Sequence, residues 1–168
     1  IRRALEGTDL DWRLRSCELF TDESWKHAWR EFFEPLQLSE HVNVGPPWLA
    51  DEMSESGEAD IDLIIEPAMA FGTGNHATTQ LSAQILDEAL TAADGQAEVL
   101  DVGCGSAILS MLAAKLGAAC VVGVDISEDA ITSARENLER NNVSQSVDLS
   151  TTPLAAVDGQ FDMVVANL

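Results

Sequence analysis

At 168 residues the chain can bury the core of one domain plus an appendage, and it carries 29 acidic against 9 basic residues, a net charge of −20. A surface so strongly anionic repels nucleic-acid phosphates and argues against a primary DNA- or RNA-binding role. Cys17, Cys104 and Cys120 form no C-x-x-C pair, which indicates neither a disulfide framework nor a zinc site, and no apolar run reaches the ~18 residues of a membrane helix.

In chain order, residues 1–50 read apart from the rest, and all four tryptophans (Trp12, Trp25, Trp29, Trp48) fall there. Thr21 is placed to cap a helix with Asp22 and Glu23 in its first turn. Trp25, Trp29, Phe32, Phe33 and Leu36 form its apolar stripe, and Pro35 is expected to end it. The acidic, aperiodic run at 51–60 predicts an exposed loop. Residues 61–65 read as a strand, and Leu81, Ile85, Ala89 and Leu90 mark a helix reaching about residue 93.

Residues 99–102 are a short apolar run of buried-strand type, followed by Gly103 and Gly105 in a tight turn. Residues 108–116 have helical spacing, and 119–124 return as a second strand ending at Asp125. Ser127 is a good N-cap with Glu128 and Asp129 behind it; Ile131, Ala134 and Leu138 give that helix a buried face, and Asn141-Asn142 ends it. Residues 146–150 and 161–166 are two further strands. This alternation predicts an α/β fold of Rossmann-like, doubly wound type with a mostly parallel sheet. The domain proper is expected at 61–168, after an N-terminal helical and linker segment.

The turn carries the most chemistry. Small residues at Gly103 and Gly105 let a ligand approach the main chain, and Asp125 lies 22 residues after Gly103, where a carboxylate can accept from ribose hydroxyls. The dinucleotide fingerprint wants glycine or alanine three positions after the second glycine, at the close helix–strand contact. Ile108 stands there and is too bulky. The small residue is Ala107 instead, giving D-x-G-x-G-x-A from Asp101. That pattern resembles motif I of class I S-adenosylmethionine-dependent methyltransferases and favours S-adenosylmethionine over a nicotinamide cofactor. Cys104, inside the turn, reads as a small filler rather than a nucleophile.

A second motif, E-P-A-M-A-F-G-T-G-N-H-A-T-T, runs from Glu66 to Thr79. Gly72 and Gly74 make a flexible loop, His76 is either an active-site residue or a loop or cap histidine, and Thr78 and Thr79 can cap the next helix. Phe71 is either core or a ring offered to the cofactor's sulfonium.

Together with W-K-H-A-W-R-E-F-F-E-P-L, G-P-P-W, V-V-G-V-D-I-S and V-V-A-N-L, these segments resemble the ribosomal protein L-eleven methyltransferase family over roughly residues 20–168. The resemblance implies an S-adenosylmethionine cofactor and methylation of amino groups on a large-subunit ribosomal protein in the cytoplasm. It puts Thr79, Gly103, Asp125 and Asn167 at the cofactor. Phe71, Asp101 and Gly105 join them from the motif chemistry, and Asn167 and His76 are the catalytic candidates. It also implies an N-terminal domain that grips the substrate, of which residues 1–60 would hold the remnant and linker. The chain departs from the family pattern at Glu66, Asn75, Ala77 and Ala107.

The chain stops after what reads as the fourth strand, where a methyltransferase domain normally continues, so a fragment is the expectation. The spread of acids along the chain, with Lys26 and Lys115 the only lysines, fits adaptation to high salt. Steering of a basic protein substrate is the other reading. Competing functions are another class I amine or amide N-methyltransferase, a nicotinamide-dependent oxidoreductase, and a non-catalytic cofactor- or partner-binding fragment.

Overall fold

The computed structural model describes residues 33–57, 59–66, 76–93 and 96–168. The expected tryptophan helix up to Phe32, and the loop with Phe71, Gly72 and Gly74, lie outside the described residues.

The first described strands form a hairpin. Leu36–Gln37 (β1) pairs antiparallel with Val42–Gly45 (β2), and β2 runs parallel to Ile61–Ile64 (β3) in a three-stranded sheet. Phe33 and Leu36 are therefore not part of a helical stripe. Residues 33–35 are irregular and Leu36 pairs with Val44, because Pro35 fixes its own φ and drives the preceding residue out of the α region.

Residues 51–60 are not simply a loop either. Ala50–Ser56 (α1) is helical, with Asp51 and Glu52 in its first turn and Gly57 in the left-handed region at φ 59°. One apolar contact anchors it: a Cβ on Gly45 would lie 2.5 Å from the Met53 Sδ, and Met53 is 2% exposed. The boundary expected at residue 60 thus falls within paired structure, since β2 and β3 share a ladder and Phe33–Leu168 form one unit.

Ala77–Ala92 (α2) confirms the next helix, although not all of the apolar residues that mark it are buried. Leu81 and Ile85 are 58% and 59% exposed, whereas Thr79, Ala83, Leu86, Asp87 and Leu90 are buried. Apolar residues occur on both faces of this helix, so periodicity alone did not choose between them.

The remaining elements follow the predicted alternation: Glu98–Val102 (β4), Ile108–Lys115 (α3), Cys120–Val124 (β5), Glu128–Arg140 (α4), Val147–Ser150 (β6) and Met163–Ala166 (β7). All pairings in the four-stranded sheet are parallel, in the order β6-β5-β4-β7. The chain crosses to one side of β4 for β5 and β6, then returns to the other side for β7. α3 is the centre of the core, with every residue from Ile108 to Ala113 buried. A helix apolar on all sides needs neighbours on all sides, and α3 packs against β4, β5, β3 and α2. Among the described residues no helix is long and apolar enough to cross a membrane.

Candidate functional site

The carboxyl ends of β4 and β7 flank the point where strand order reverses, the crevice in which open α/β sheets bind ligands. The turn after β4 is held from below: Gly103 and Cys104 N–H groups both donate to the Val124 carbonyl, at 2.8 and 3.0 Å. Gly103, Gly105 and Ala107 all have positive φ (72°, 53° and 63°). Glycine adopts that region freely, while alanine at 107 carries a cost of about 1–2 kcal/mol. Gly103 has no side chain of its own, and the Leu168 side chain lies where a Cβ would project.

Asp125 stands at the end of β5 beside this turn. Its Oδ2 accepts from the Gly105 N–H (3.0 Å) and its Oδ1 from the Ser127 N–H (2.9 Å). A carboxylate offers about four lone-pair sites, so both oxygens are aimed by main-chain donors and each keeps a site for a ligand hydroxyl. Ser127 also caps α4, its Oγ accepting from the Ala130 N–H at 3.3 Å.

Asp101 is buried under the turn, 2% exposed. Its Oδ2 accepts from the Ser110 hydroxyl (2.6 Å) and N–H (3.1 Å). Burial pushes its carboxyl up to about 6; the Ser110 hydrogen bonds pull the other way and the Asp125 charge adds to the rise. Cys104 is buried, and desolvation with the nearby Asp101 and Asp125 charges pushes its thiol up to about 12, which suits a filler and not a nucleophile. The N–H groups of Gly103, Cys104, Gly105, Ala107 and Ser110 already donate within the protein. A ligand carboxylate at the start of α3 would have to use other donors than these.

Thr79 and Asn167 come together from opposite ends of the domain. Asn167, just past β7, donates from Nδ2 to the Thr79 Oγ1 at 2.9 Å, and Thr79 is 3% exposed. This leaves the Asn167 amide oxygen as the acceptor that can face a substrate. His76 is the N-cap of α2, in place of the threonines expected there. Its Nδ1 lies 2.7 Å from Thr78 Oγ1 and accepts from the Thr78 N–H at 3.3 Å, on an exposed surface. Phe71 is outside the described residues.

Three supporting residues escaped sequence reasoning. Gly123 in β5 is one: a Cβ there would lie 2.6 Å from Leu149 Cδ2, 3.1 Å from Ser110 Oγ and 3.4 Å from Cys104 Cβ. Glycine inside a strand signals such close approach, and that signal was present. Ser110 and Asn137 are the others, polar side chains at core-facing helical positions. A separate cleft of about 690 Å³ lies between the β1–β2 hairpin and α2, lined by Glu40, His41, Asp87 and Glu88 among others, and includes none of the predicted site residues. Its His41 Nδ1 is 3.2 Å from Asp87 Oδ2, and that hydrogen bond and charge raise the imidazole pKa. Among the described residues no cluster of His, Cys, Asp and Glu could hold a metal ion.

A family model described as ribosomal protein L11 methyltransferase (PrmA) matches residues 4–168. The chain is 44% identical over 147 residues to the ribosomal protein L11 methyltransferase of Geobacter metallireducens, covering 88% of this chain and 46% of that protein. It is 38% identical over 162 residues to the protein of that name from Clostridium perfringens, covering 96% and 50%. The chain therefore spans about half the length of the curated relatives it matches. Among solved structures it is similar to a ribosomal protein L11 methylase from Lactobacillus delbrueckii subsp. bulgaricus, with a TM-score of 0.68 and 36% identity, over 82% of this chain and 66% of that one.

Proposed function

Because this chain belongs to the ribosomal protein L11 methyltransferase family, whose members are S-adenosylmethionine-dependent methyltransferases, we propose that it binds S-adenosylmethionine and serves methylation of a large-subunit ribosomal protein. The acceptors would be lysine side chains and the N-terminal amine, and the compartment the cytoplasm. One observation carries the reading: a carboxylate at the end of β5, braced on both oxygens by main-chain amides, beside a turn of three positive-φ residues at the switch point.

The residues present fit such a cofactor. Gly105 and Ala107 would lie along it with little side chain in the way, the exposed Leu168 side chain that lies over Gly103 would have to turn aside, and Asp125 would accept from both ribose hydroxyls. Asp101 would face the ammonium of the methionine part, directly or through water, and Phe71 would offer a ring to the sulfonium. The cofactor supplies the activated methyl group; the protein supplies position. A lysine amine with an ordinary pKa near ~10.4 must lose a proton before it can attack, and a desolvated site favours the neutral form. The Asn167 amide oxygen would orient that amine, with Thr79 holding the amide plane through the 2.9 Å hydrogen bond. His76 contributes through the start of α2, the helix that carries Thr79.

Calorimetric titration of S-adenosylhomocysteine tests the core of this reading. Asp125→Ala should weaken binding about 100-fold, because two charge-assisted hydrogen bonds are lost; equal affinity in both proteins removes the ribose assignment. Asn167→Ala should abolish methylation of the ribosomal protein, read by mass spectrometry, with product affinity changed only a few-fold. Unchanged turnover rules out the orienting role.

A further inference from the structure

Two buried asparagines, one on α4 and one at its C-cap, tie together segments that the catalytic reading treats separately. Asn137, on the stripe shared with Ile131, Ala134 and Leu138, is 1% exposed, and Asn141, four residues later at the C-cap, is 3% exposed. Asn137 Nδ2 donates to the Ser106 carbonyl in the glycine turn at 3.1 Å. Its Oδ1 accepts from Arg140 Nη1 at 3.1 Å and, at a longer 3.5 Å, from the Glu66 N–H. Asn141 exchanges two hydrogen bonds with Ile64: Oδ1 accepts from the Ile64 N–H (2.8 Å) and Nδ2 donates to the Ile64 carbonyl (2.7 Å). Its Nδ2 also donates to the Asn137 carbonyl at 2.8 Å, joining the two side chains' partners into one network.

The geometry explains why an amide stands at the core-facing position 137 and why the C-cap amide of Asn141 is buried. Among the described residues β3 is an edge strand of its sheet, and no described strand pairs with the outward N–H and C=O of Ile64. Asn141 presents a donor and an acceptor side by side, as a peptide group of a further strand would. Main-chain groups shielded from water and left without partners are costly, and a leucine here would take both partners from the half-buried Ile64. Asn137 then connects the chain just past β3 to the carbonyl of Ser106, two residues before α3 begins. Residues 67–75, which carry Phe71, follow immediately in sequence.

We propose that Asn137 and Asn141 are positioning residues. They fix the register between the end of β3 and the glycine turn, and so set affinity for the nucleoside ligand without touching it. The effect on affinity rests on reading the turn as the cofactor seat; the mechanical tie does not.

The test uses the full chain in two arms. In hydrogen-exchange mass spectrometry without ligand, Asn141→Leu should speed exchange at Ile64 about tenfold or more, with the β4 amides near wild type. In titration, Asn137→Leu and Asn141→Leu should each weaken S-adenosylhomocysteine binding about tenfold. Leu138→Ala, which loosens the same helix without removing an amide, should leave affinity within about twofold wherever the protein is folded. Should Asn141→Leu fail to fold, Asn141→Asp keeps the acceptor for the Ile64 N–H and drops the donor, and should show a smaller change of the same kind. Wild-type exchange in the Asn141 variants overturns the tie; unchanged affinity, or an equal loss in Leu138→Ala, overturns the positioning role. A wild-type chain that binds no S-adenosylhomocysteine overturns the reading of the turn, and the exchange arm still decides the tie.

Discussion

The glycine-turn unit, from β4 to α4, and the hairpin unit, β1 to β3 with α1, handle buried polar atoms differently. In the first, Asp101 bonds Ser110, Asp125 bonds Gly105 and Ser127, and Asn137 bonds Ser106. In the second, Ser39 Oγ and Asp62 Oδ1 are buried without a hydrogen-bond partner among the described residues. Burial alone raises the Asp62 carboxyl, with no donor to pull it back. A site that must hold a charged ligand in one geometry needs its own polar groups fixed beforehand. The supporting sheet has no such demand.

The sharpest way to break this contrast is through Asp101, where the turn unit itself tolerates a buried acid. Its carboxyl is raised from 3.8 to about 6, so the fold favours the neutral form. The associated stability is fully present below the unfolded pKa near 4 and is lost as pH rises through about 6, reaching on the order of 3 kcal/mol. Asp101→Asn keeps an acceptor for Ser110 and has no charge to bury. Denaturation curves should therefore show the variant more stable than wild type at pH 8, with the gap narrowing by roughly 1 kcal/mol at pH 5. The same variant should bind S-adenosylhomocysteine more weakly if the carboxylate faces the ammonium. A gap independent of pH would mean that Asp101 titrates alike in the folded and unfolded chains.

The two units also differ in how a glycine is used. At Gly123 a methyl group meets Leu149, Ser110 and Cys104 together, whereas at Gly45 it meets only Met53, through the end of a flexible side chain. Gly123→Ala should cost about 2 kcal/mol, in the range of core overpacking, and Gly45→Ala less than about 1. Thermal melts of the pair decide it, and equal losses would mean that β5 yields as easily as Met53 does.

These residues also show what could be read from the chain beforehand. The path from β4 through the turn to Asp125 is local: each step follows from a neighbour within a few residues, and the periods of strand and helix are clean. The positions of Gly103, Gly105, Asp125 and the Ser127 cap were therefore legible. α1 was not, because a seven-residue acidic helix with one buried methionine has no periodicity to detect. The hairpin was not, because its two-residue strand owes its existence to pairing with β2. The face of α2 depended on packing against α3, and the meeting of Thr79 with Asn167 spans 88 residues that no local pattern connects.

Helix caps give the smallest and cleanest comparison. Ser127 caps α4, which has Glu128 and Asp129 in its first turn, carries Asn137 and ends at the Asn141 C-cap. His76 caps α2, which has no acid in its first turn. Ser127→Ala removes the acceptor for the Ala130 N–H while leaving the Ser127 N–H to Asp125, so about 1 kcal/mol of stability should go, with little change in ligand affinity. His76→Ala removes an acceptor at the same 3.3 Å, from the Thr78 N–H, but histidine is not among the favoured N-cap residues, and about 0.5 kcal/mol is expected. The second substitution also separates two roles for this histidine. If it acts only through the start of α2, turnover at saturating substrate should fall no further than a Thr78→Ala variant's does. A loss of a hundredfold or more confined to His76→Ala would instead put the imidazole in contact with the reacting groups, since general acid–base work contributes about 10²–10⁴-fold and a helix cap does not.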